Sequence, residues 1–215
     1  MGRWEPNARG RLERAALELY RERGFEQTTV AEIAERAGLT KRTFFRHFAD
    51  KRDVLFYGAD ALREMIARAV ADAPDSLTPL GAVAAGLEAA IALFEERRDE
   101  AHDRRVVITA NAELRERELV KMGLLAVDVA EALRGRGVAD RAARLTAEAG
   151  VAAFKVAFEY WGNEPDPQDL ALHFRDALEE LKAVTADAWP EAGSRGVRSE
   201  GGMAAGGGPD AAFVR

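Results

Sequence analysis

Cysteine is absent from the 215 residues, and so is any long apolar run. Without cysteine the chain can form neither a disulfide nor a thiol nucleophile, which fits a reducing cytoplasm. No stretch approaches the ~20 apolar residues that a membrane-spanning helix needs. The start, MGRWEPNARGR, lacks the apolar segment of a secretory signal. We therefore expect a cytoplasmic protein without a membrane partner.

Histidine is also scarce. The three histidines, His47, His102 and His173, lie far apart, and none has the H-x-x-x-H or E-x-x-H spacing of a metal site. The chain has no P-loop, no G-x-S-x-G and no G-x-G-x-x-G motif. We expect no metal, no cofactor and no enzymatic activity, with an enzyme built on a helical bundle as the less favoured alternative.

The net charge of −6 is distributed unevenly. Residues 1–57 contain 12 basic and 9 acidic residues (+3), whereas the remainder contains 19 basic and 28 acidic residues (−9). A uniformly acidic chain would argue against a nucleic-acid partner. The difference in sign instead suggests a DNA-facing head and an acidic body.

The stretch from Thr28 to Arg52 has the clearest local pattern, two short helices joined by a tight turn. Thr29 and Glu32 form a capping-box pattern before the first helix. Gly38 comes where a left-handed residue ends a helix, and Thr40 offers the next N-cap. An apolar face with helical spacing follows Thr29: Val30, Ile33, Ala34 and Ala37. This arrangement predicts a helix-turn-helix, whose second helix enters the major groove of DNA.

The second helix divides into a buried and an exposed side. The residues expected inside are Thr43, Phe44, His47 and Phe48, and those expected outside are Lys41, Arg42, Phe45 and Arg46. From Lys41 to Arg52 there are five basic residues and one acid, Asp50, which gives +4. Such a concentration of positive charge beside a recognition helix suits phosphate binding.

Helical periodicity continues to about residue 189, and no strand pattern occurs. We expect an all-α chain of about nine helices, with a three-helix head on a larger body. The predicted domains are a DNA-binding head (1–56), a ligand-binding and dimerisation body (57–189) and a Gly-rich disordered tail (190–215). A linking helix, about 51–72, would belong to both domains.

The predicted helix from Arg141 to Trp161 is apolar on two sides. One stripe is Leu145, Ala149, Ala152, Val156 and Tyr160, and the other is Val151, Phe154, Phe158 and Trp161. A helix with two apolar sides must be covered twice. We expect a partner subunit or a ligand cavity to provide the second cover.

The head resembles that of the tetracycline-repressor (TetR) family of bacterial regulators. The residues that carry the resemblance are Ala15-Ala16, Leu19, Gly24-Phe25, Thr28-Thr29, Ile33-Ala34, Ala37-Gly38, Thr40, Thr43, Phe44-Phe45, His47-Phe48, Lys51 and Leu55. The resemblance implies an all-α homodimeric repressor, bound to a palindromic operator in double-stranded DNA. It also implies a body that binds a small molecule and a dimer interface formed by the last two long helices. Such a protein would be nucleoid-associated when bound to DNA.

The resemblance implies a set of DNA contacts: Thr28, Thr29, Thr40, Lys41, Arg42, Thr43, Phe45, Arg46, His47 and Lys51. In this set Thr29 would hold a phosphate, and His47 and Lys51 would clamp the backbone. Phe45 departs from the family pattern, which has a tyrosine there whose hydroxyl reaches a phosphate. This departure leaves open a second alternative, a dimerising helical protein with a degenerate DNA head.

The body is similar to regulators of the mycofactocin-system type, for which acyl-CoA-like ligands are expected. The residues predicted to form the pocket for a small apolar ligand are Phe94, Arg105, Ile108, Asn111, Met122, Phe154 and Phe158. Arg104, together with Arg105 and Asn111, is expected to meet a polar head of the ligand. Those predicted at the dimer interface are Val151, Trp161, Phe174, Leu178 and Leu181. Plain core packing of Phe154 and Phe158, without a cavity, is the alternative. Ligand binding would shift the dimer away from its DNA-bound form, with the linking helix transmitting the change.

Overall fold

The computed structural model describes residues 7–163 and 169–186. The tail predicted at 190–215 lies outside the described residues. The described ranges form ten α-helices and contain no strand. The helices are α1 Ala8–Arg23, α2 Val30–Arg36, α3 Lys41–His47, α4 Asp53–Phe56, α5 Ala59–Ala71, α6 Pro79–Glu96, α7 Arg98–Thr109, α8 Ala112–Gly135, α9 Asp140–Asn163 and α10 Leu170–Thr185. The all-α prediction is confirmed, and none of these helices is both long and apolar enough to cross a membrane.

Short polar side chains begin the helices where the sequence predicts them. The hydroxyls of Thr29, Thr40 and Thr78 each accept a hydrogen bond from the backbone N–H three residues later. At Thr29 the capping box is complete, because the Glu32 carboxylate accepts the Thr29 N–H at 2.9 Å. These caps satisfy backbone groups that the first turn leaves unpaired, and they fix where α2 and α3 begin.

The predicted linking helix is wrong as a single element. Helix α4 ends at Phe56, Tyr57 is extended (ψ 137°), and Gly58 adopts a left-handed conformation with φ 80°. Helix α5 then begins at Ala59. A residue with a β-carbon would be strained at that φ, so glycine permits the break. The break adds one helix to the expected count of about nine.

Two hydrophobic cores hold the chain together. The first contains residues of α1 to α4, but it also includes Val107, Ile108 and Leu114. These three side chains come from the segment 107–114, where α7 ends and α8 begins, which we call the α7–α8 corner. The core of the head is therefore completed by residues far outside the predicted range 1–56.

The second core lies between α5, α6, α8, α9 and α10. Helix α6 approaches its neighbours closely at two glycines. A β-carbon at Gly86 would lie 2.7 Å from a methyl of Val70 on α5, and one at Gly150 would lie 2.4 Å from a methyl of Val83 on α6. The central packing of the body therefore requires glycine at both positions.

Candidate nucleic-acid interface and ligand cavity

Helix α3 presents a basic and aromatic face to solvent. Phe44 and Phe48 are buried and anchor the helix on α1 and α2. The side chains on the opposite face are exposed, as predicted: Lys41, Arg42, Phe45 and Arg46. Phe45 is 57% exposed, and its ring meets Phe44 edge-to-face at 5.5 Å. The exposed ring and the three cations beside it form a face that suits contact with nucleic acid.

The cations of this face are available to a ligand. Lys41, Arg42 and Arg46 form no ion pair with any described residue. The other two cations of the segment 41–52 are engaged within the protein, since Arg52 pairs with Asp50 and Glu113 and Lys51 donates to backbone carbonyls. Within this segment the positive charge without a partner among the described residues therefore lies on α3, and it is smaller than the +4 counted along the sequence.

The structure contradicts the predicted contact between Lys51 and the DNA backbone. Its ammonium group donates to the carbonyl oxygens of Phe25, Glu26 and Thr28 at 2.8, 3.1 and 3.1 Å. An ammonium group has three donors, so all of them are used within the head. Lys51 holds the turn between α1 and α2 and is not free to clamp a phosphate.

The structure also contradicts the predicted DNA contact of Thr28. Its side chain is 1% exposed, and its hydroxyl lies 2.9 Å from the Gly24 carbonyl and 3.3 Å from that of Leu19. The residue braces the end of α1 and cannot reach DNA. The hydroxyl of Thr29 is exposed, but it donates to Glu32 at 2.8 Å. A phosphate at Thr29 would have to displace that bond.

His47 is half-buried at the end of α3. Its Nε2 is buried and forms no hydrogen bond with a described residue. Burial lowers the pKa of His47, and the nearby charges of Arg46 and Arg9 lower it further. In the free protein both effects therefore favour the neutral imidazole.

A cavity of about 870 Å³ lies between the head and the body, lined by residues of α1, the α4–α5 break, α6, α7 and α8. This volume is within the usual range for small-molecule sites. The apolar wall comes mainly from the body and the break, through Phe56, Leu62, Met65, Phe94 and Met122. Charged side chains lie nearer to α1, including Arg9, Glu13, Arg97, Glu100 and Arg104.

Only some of the predicted pocket residues line this cavity. Phe94 and Met122 do so. Phe154 and Phe158 are buried behind Phe94, with ring centroids 6.3 and 5.5 Å from it, and they support the wall without lining it. Arg105 lies over the outer side of this cluster, 5.6 Å from the Phe158 ring, and does not line the cavity.

Ile108 and Asn111 are wrong predictions for the pocket. Ile108 is 1% exposed and packs in the core of the head. Asn111 caps α8, and its amide donates to Glu26 at 3.0 Å. Both belong to the α7–α8 corner. No local pattern in the sequence indicates that this corner contacts the head, because Asn111 and its partner Glu26 are 85 positions apart along the chain.

Sequence reasoning predicted Arg104 as a contact to the polar end of a ligand, but it missed the rest of the polar lining of the cavity. Arg104 donates its Nε to the Leu55 carbonyl at 2.5 Å, and its guanidinium lies over the Phe56 ring at 5.2 Å. Arg97 lies 3.7 Å from Glu13 on α1. Glu13 and Arg97 occur in charged runs that look like ordinary solvated helix faces, so only the packing of α1 on α7 identifies them.

The predicted dimer residues are buried within a single chain. Val151, Trp161, Phe174 and Leu178 are 3, 0, 0 and 6% exposed, and Leu181 is half-buried against the same core. Four of these side chains are therefore unavailable to a partner. The other stripe of α9 faces solvent instead, with Leu145, Val156 and Tyr160 at 66, 42 and 65% exposure. Helix α9 thus has a second apolar side, as expected. The stripe that contains Trp161, which was predicted at the dimer interface, lies in the core of the chain, and the stripe that contains Tyr160 is exposed.

Within the described part of the chain, no three His, Cys, Asp or Glu side chains come together as a metal site would require. Three features of the described residues are suited to binding another molecule: the basic α3 face, the exposed α9 stripe and the cavity between head and body.

Comparison with known proteins supports this interpretation of the head. Residues 13–57 match the model for bacterial regulatory proteins of the tetR family. The HTH-type transcriptional regulator TcmR of Streptomyces glaucescens is 40% identical over 83 residues, 39% of this chain and 37% of that protein. The chain thus spans little more than a third of the length of this curated relative.

Solved structures resemble the chain over most of its length. A repressor of Thermus thermophilus, FadR in complex with lauroyl-CoA, is 25% identical with a TM-score of 0.54, covering 87% of this chain and 99% of that one. A complex of triclosan with SmeT, a repressor of Stenotrophomonas maltophilia, is 20% identical with a TM-score of 0.63, over 86% of this chain and 97% of that one. The SmeT likeness concerns the fold alone.

Proposed function

Because the chain belongs to the tetR family of bacterial regulatory proteins, we propose that it is a homodimeric repressor that a small ligand releases from a palindromic operator. The observation that carries the proposal is the α3 face, where Lys41, Arg42 and Arg46 are exposed and unpaired around Phe45. A protein of this kind would act in the cytoplasm and lie on the nucleoid when bound to DNA.

The α3 side chains have separate roles in the proposed complex. Lys41 and Arg46 neutralise phosphates, which supplies affinity without sequence preference. Arg42 is suited to bidentate contact with a guanine, an interaction worth roughly 1–3 kcal/mol of discrimination. Phe45 contacts a sugar or a thymine methyl in place of the hydrogen bond that a tyrosine would make. Thr40 and Thr43 complete the groove side of the turn.

The proposed dimer forms through α9 and α10. Support comes from the exposed α9 stripe, in which Leu145, Val156 and Tyr160 fall on one side of the helix. The adjacent α10 adds Leu172 and Val184, which are 38 and 54% exposed. Two copies joined this way would form a four-helix interface and place two α3 helices at a fixed separation. Successive major grooves lie about 34–36 Å apart, so the operator should be a near-palindrome.

The proposed ligand acts on the contact between head and body. The cavity touches α1 of the head and α7 of the body at once. The α7–α8 corner is packed into the head, where its Glu113 pairs with Arg52. Asp103, earlier on α7, forms an ion pair with Arg21 at 2.8 Å. A ligand that changes the separation of α1 and α7 would therefore rotate the head. Transmission through this corner replaces the continuous linking helix of the sequence prediction.

An acyl-CoA-like ligand remains one candidate. The FadR structures of Thermus thermophilus and Bacillus subtilis contain lauroyl-CoA and stearoyl-CoA. Phe94 and Met122 form part of an apolar wall that an acyl chain could occupy. Of the three predicted contacts to the polar end, Arg104 lines the cavity, whereas Arg105 and Asn111 do not.

Binding to the DNA that flanks the gene tests the proposal. We expect a gel shift on an inverted repeat there, and Lys41→Ala with Arg42→Ala should weaken it at least tenfold at physiological salt. A control with the same change of net charge at positions outside α3 and the proposed interface, Arg68→Ala with Arg115→Ala, removes two exposed cations and should bind as the wild type does. Unchanged affinity in the α3 variant would refute the proposal and favour the degenerate-head alternative.

A further inference from the structure

Helix α8 has an exposed apolar side that the dimer contact through α9 and α10 does not use. Val120, Leu124 and Val127 follow one another at helical spacing, i, i+4 and i+7, and they are 59, 42 and 59% exposed. The opposite side of the helix is buried in the core of the body through Leu125 and Val129. Helix α8 is therefore apolar on two sides, and its outer side is left open by the described residues.

This outer side of α8 is continuous with the exposed stripe of α9. A groove of about 290 Å³ runs between the two helices, and Val127 lines it together with Arg144 and Glu148 of α9. Arg144 directly precedes Leu145, the first residue of the α9 stripe, and Glu148 lies one turn further along. The two apolar stripes thus belong to one surface, with the groove between them.

The α9 stripe is too small to hold two copies together on its own. From Leu145 to Tyr160 it is about 22 Å long and about 10 Å wide, which corresponds to roughly 200–400 Å² of surface. Stable interfaces bury about 800 Å² on each partner. The remainder of a stable interface must come from the helices that pack on either side of α9, which are α8 and α10.

The two flanking helices differ in what they offer a partner. On α10 the exposed Leu172 and Val184 are twelve positions apart, a separation that places them on different sides of the helix. The exposed side chains between them include three acids and two bases: Arg175, Asp176, Glu179, Glu180 and Lys182. On α8 three apolar side chains lie within about two turns of one side. Because the burial of apolar surface drives most protein association, α8 is the better flank for a contact between two copies.

We propose that the outer side of α8, formed by Val120, Leu124 and Val127, packs against the partner subunit and is part of the dimer interface. This inference rests on the proposed function, because it extends the contact assigned there to α9 and α10. The same turns of α8 line the ligand cavity on their inner side, through Met122 and Leu125. A shift of α8 at the cavity would therefore reach the second copy directly.

Protection of a single thiol tests the proposal, because the chain has no cysteine of its own. Leu124→Cys should be alkylated at least tenfold more slowly in the dimer than in the Tyr160→Glu background, where the proposed α9 contact is lost. Arg115→Cys, which is exposed on the other side of α8, should react at the same rate in both. Sedimentation of each variant at the labelling concentration gives its state of association.

The affinity of the dimer gives a second readout. Leu124→Glu should weaken dimerisation at least tenfold, because a two-fold contact loses the leucine twice and gains two carboxylates. The side chain is exposed in the single chain, so the variant should keep its fold. Ala112→Glu, the same change of charge at an exposed residue two turns before Val120, should dimerise as the wild type does.

Equal rates of alkylation for Leu124→Cys in the dimer and in the Tyr160→Glu monomer would overturn the inference. So would a Leu124→Glu variant that dimerises as tightly as the wild type. The outcome is separable from the proposed function. A dimer that binds the operator but leaves the thiol of Leu124→Cys unprotected refutes only this inference, and a protected thiol in a dimer without operator binding refutes only the repressor.

Discussion

Replacing Lys51 with methionine separates a structural role from a DNA contact. The ammonium group makes three hydrogen bonds to the carbonyls of Phe25, Glu26 and Thr28, and it lies 4.4 Å from the centroid of the Phe25 ring. Methionine keeps the apolar stem and removes the donors. We expect Lys51→Met to destabilise the head while leaving the number of phosphate contacts unchanged.

The magnitude follows from the surroundings of each bond. A hydrogen bond to a charged group contributes about 1.5–3 kcal/mol when protected from water. The bonds to Phe25 and Thr28 are partly buried and the one to Glu26 is exposed, so water replaces part of the loss. The exposed-site cation–π contact adds about 0.5–1 kcal/mol. We expect a decrease of about 2–4 kcal/mol in the free energy of unfolding.

Two measurements together decide the role of Lys51. Urea unfolding gives the stability, and DNA affinity measured over a range of salt gives the number of phosphate contacts. Arg46→Met should show the reverse pattern, with near-normal stability and a salt slope reduced by about 0.9 for each protomer. If Lys51→Met left stability unchanged and reduced the salt slope as Arg46→Met does, the structural assignment would be wrong.

Three further predictions concern other parts of the chain. Gly58→Ala should cost about 1–2 kcal/mol of unfolding free energy in urea because φ is 80° there, whereas Gly123→Ala on α8, where a β-carbon meets nothing within 4 Å, should be neutral or stabilising. A hydrogen bond to Asp169 raises the pKa of Glu95, and burial adds to the effect. The contribution of Glu95 to stability should therefore fall as pH rises from 4.5 through the raised pKa, and Glu95→Gln should reduce the fall of stability with pH in unfolding experiments over that range. Tyr160→Glu should make the protein monomeric in sedimentation experiments and abolish tight operator binding, whereas dimers with normal DNA affinity would exclude the α9 interface.

The sequence predicts the helices and their caps well, because those signals are local. Thr29 with Glu32 and the turn at Gly38 depend on neighbours within one helical turn. Phe44 and Phe48 follow from the same short-range spacing. The helix-turn-helix and its exposed cations were therefore predictable from Thr28 to Arg52 alone.

The failures arise where a partner is distant or where two patterns are equivalent. Lys51 bonds to carbonyls 23 to 26 positions earlier, so its free charge could not be judged from its neighbours. Both stripes of α9 are apolar, and periodicity alone cannot tell which one faces the core. The stripe containing Trp161 is inside, and the stripe containing Tyr160 is outside. Ile108 has the pattern of any core residue, and nothing local assigns it to the head.

The spacing of operator half-sites tests the central claim, that two α3 helices held by one dimer read DNA together. The measurement is the affinity of the wild type for its inverted repeat and for the same repeat with about 5 base pairs, half a helical turn, inserted between the half-sites. We expect the insertion to abolish tight binding, because one of the two α3 helices then faces the wrong side of the duplex. Equal affinity for both duplexes, or for a single half-site, would contradict it.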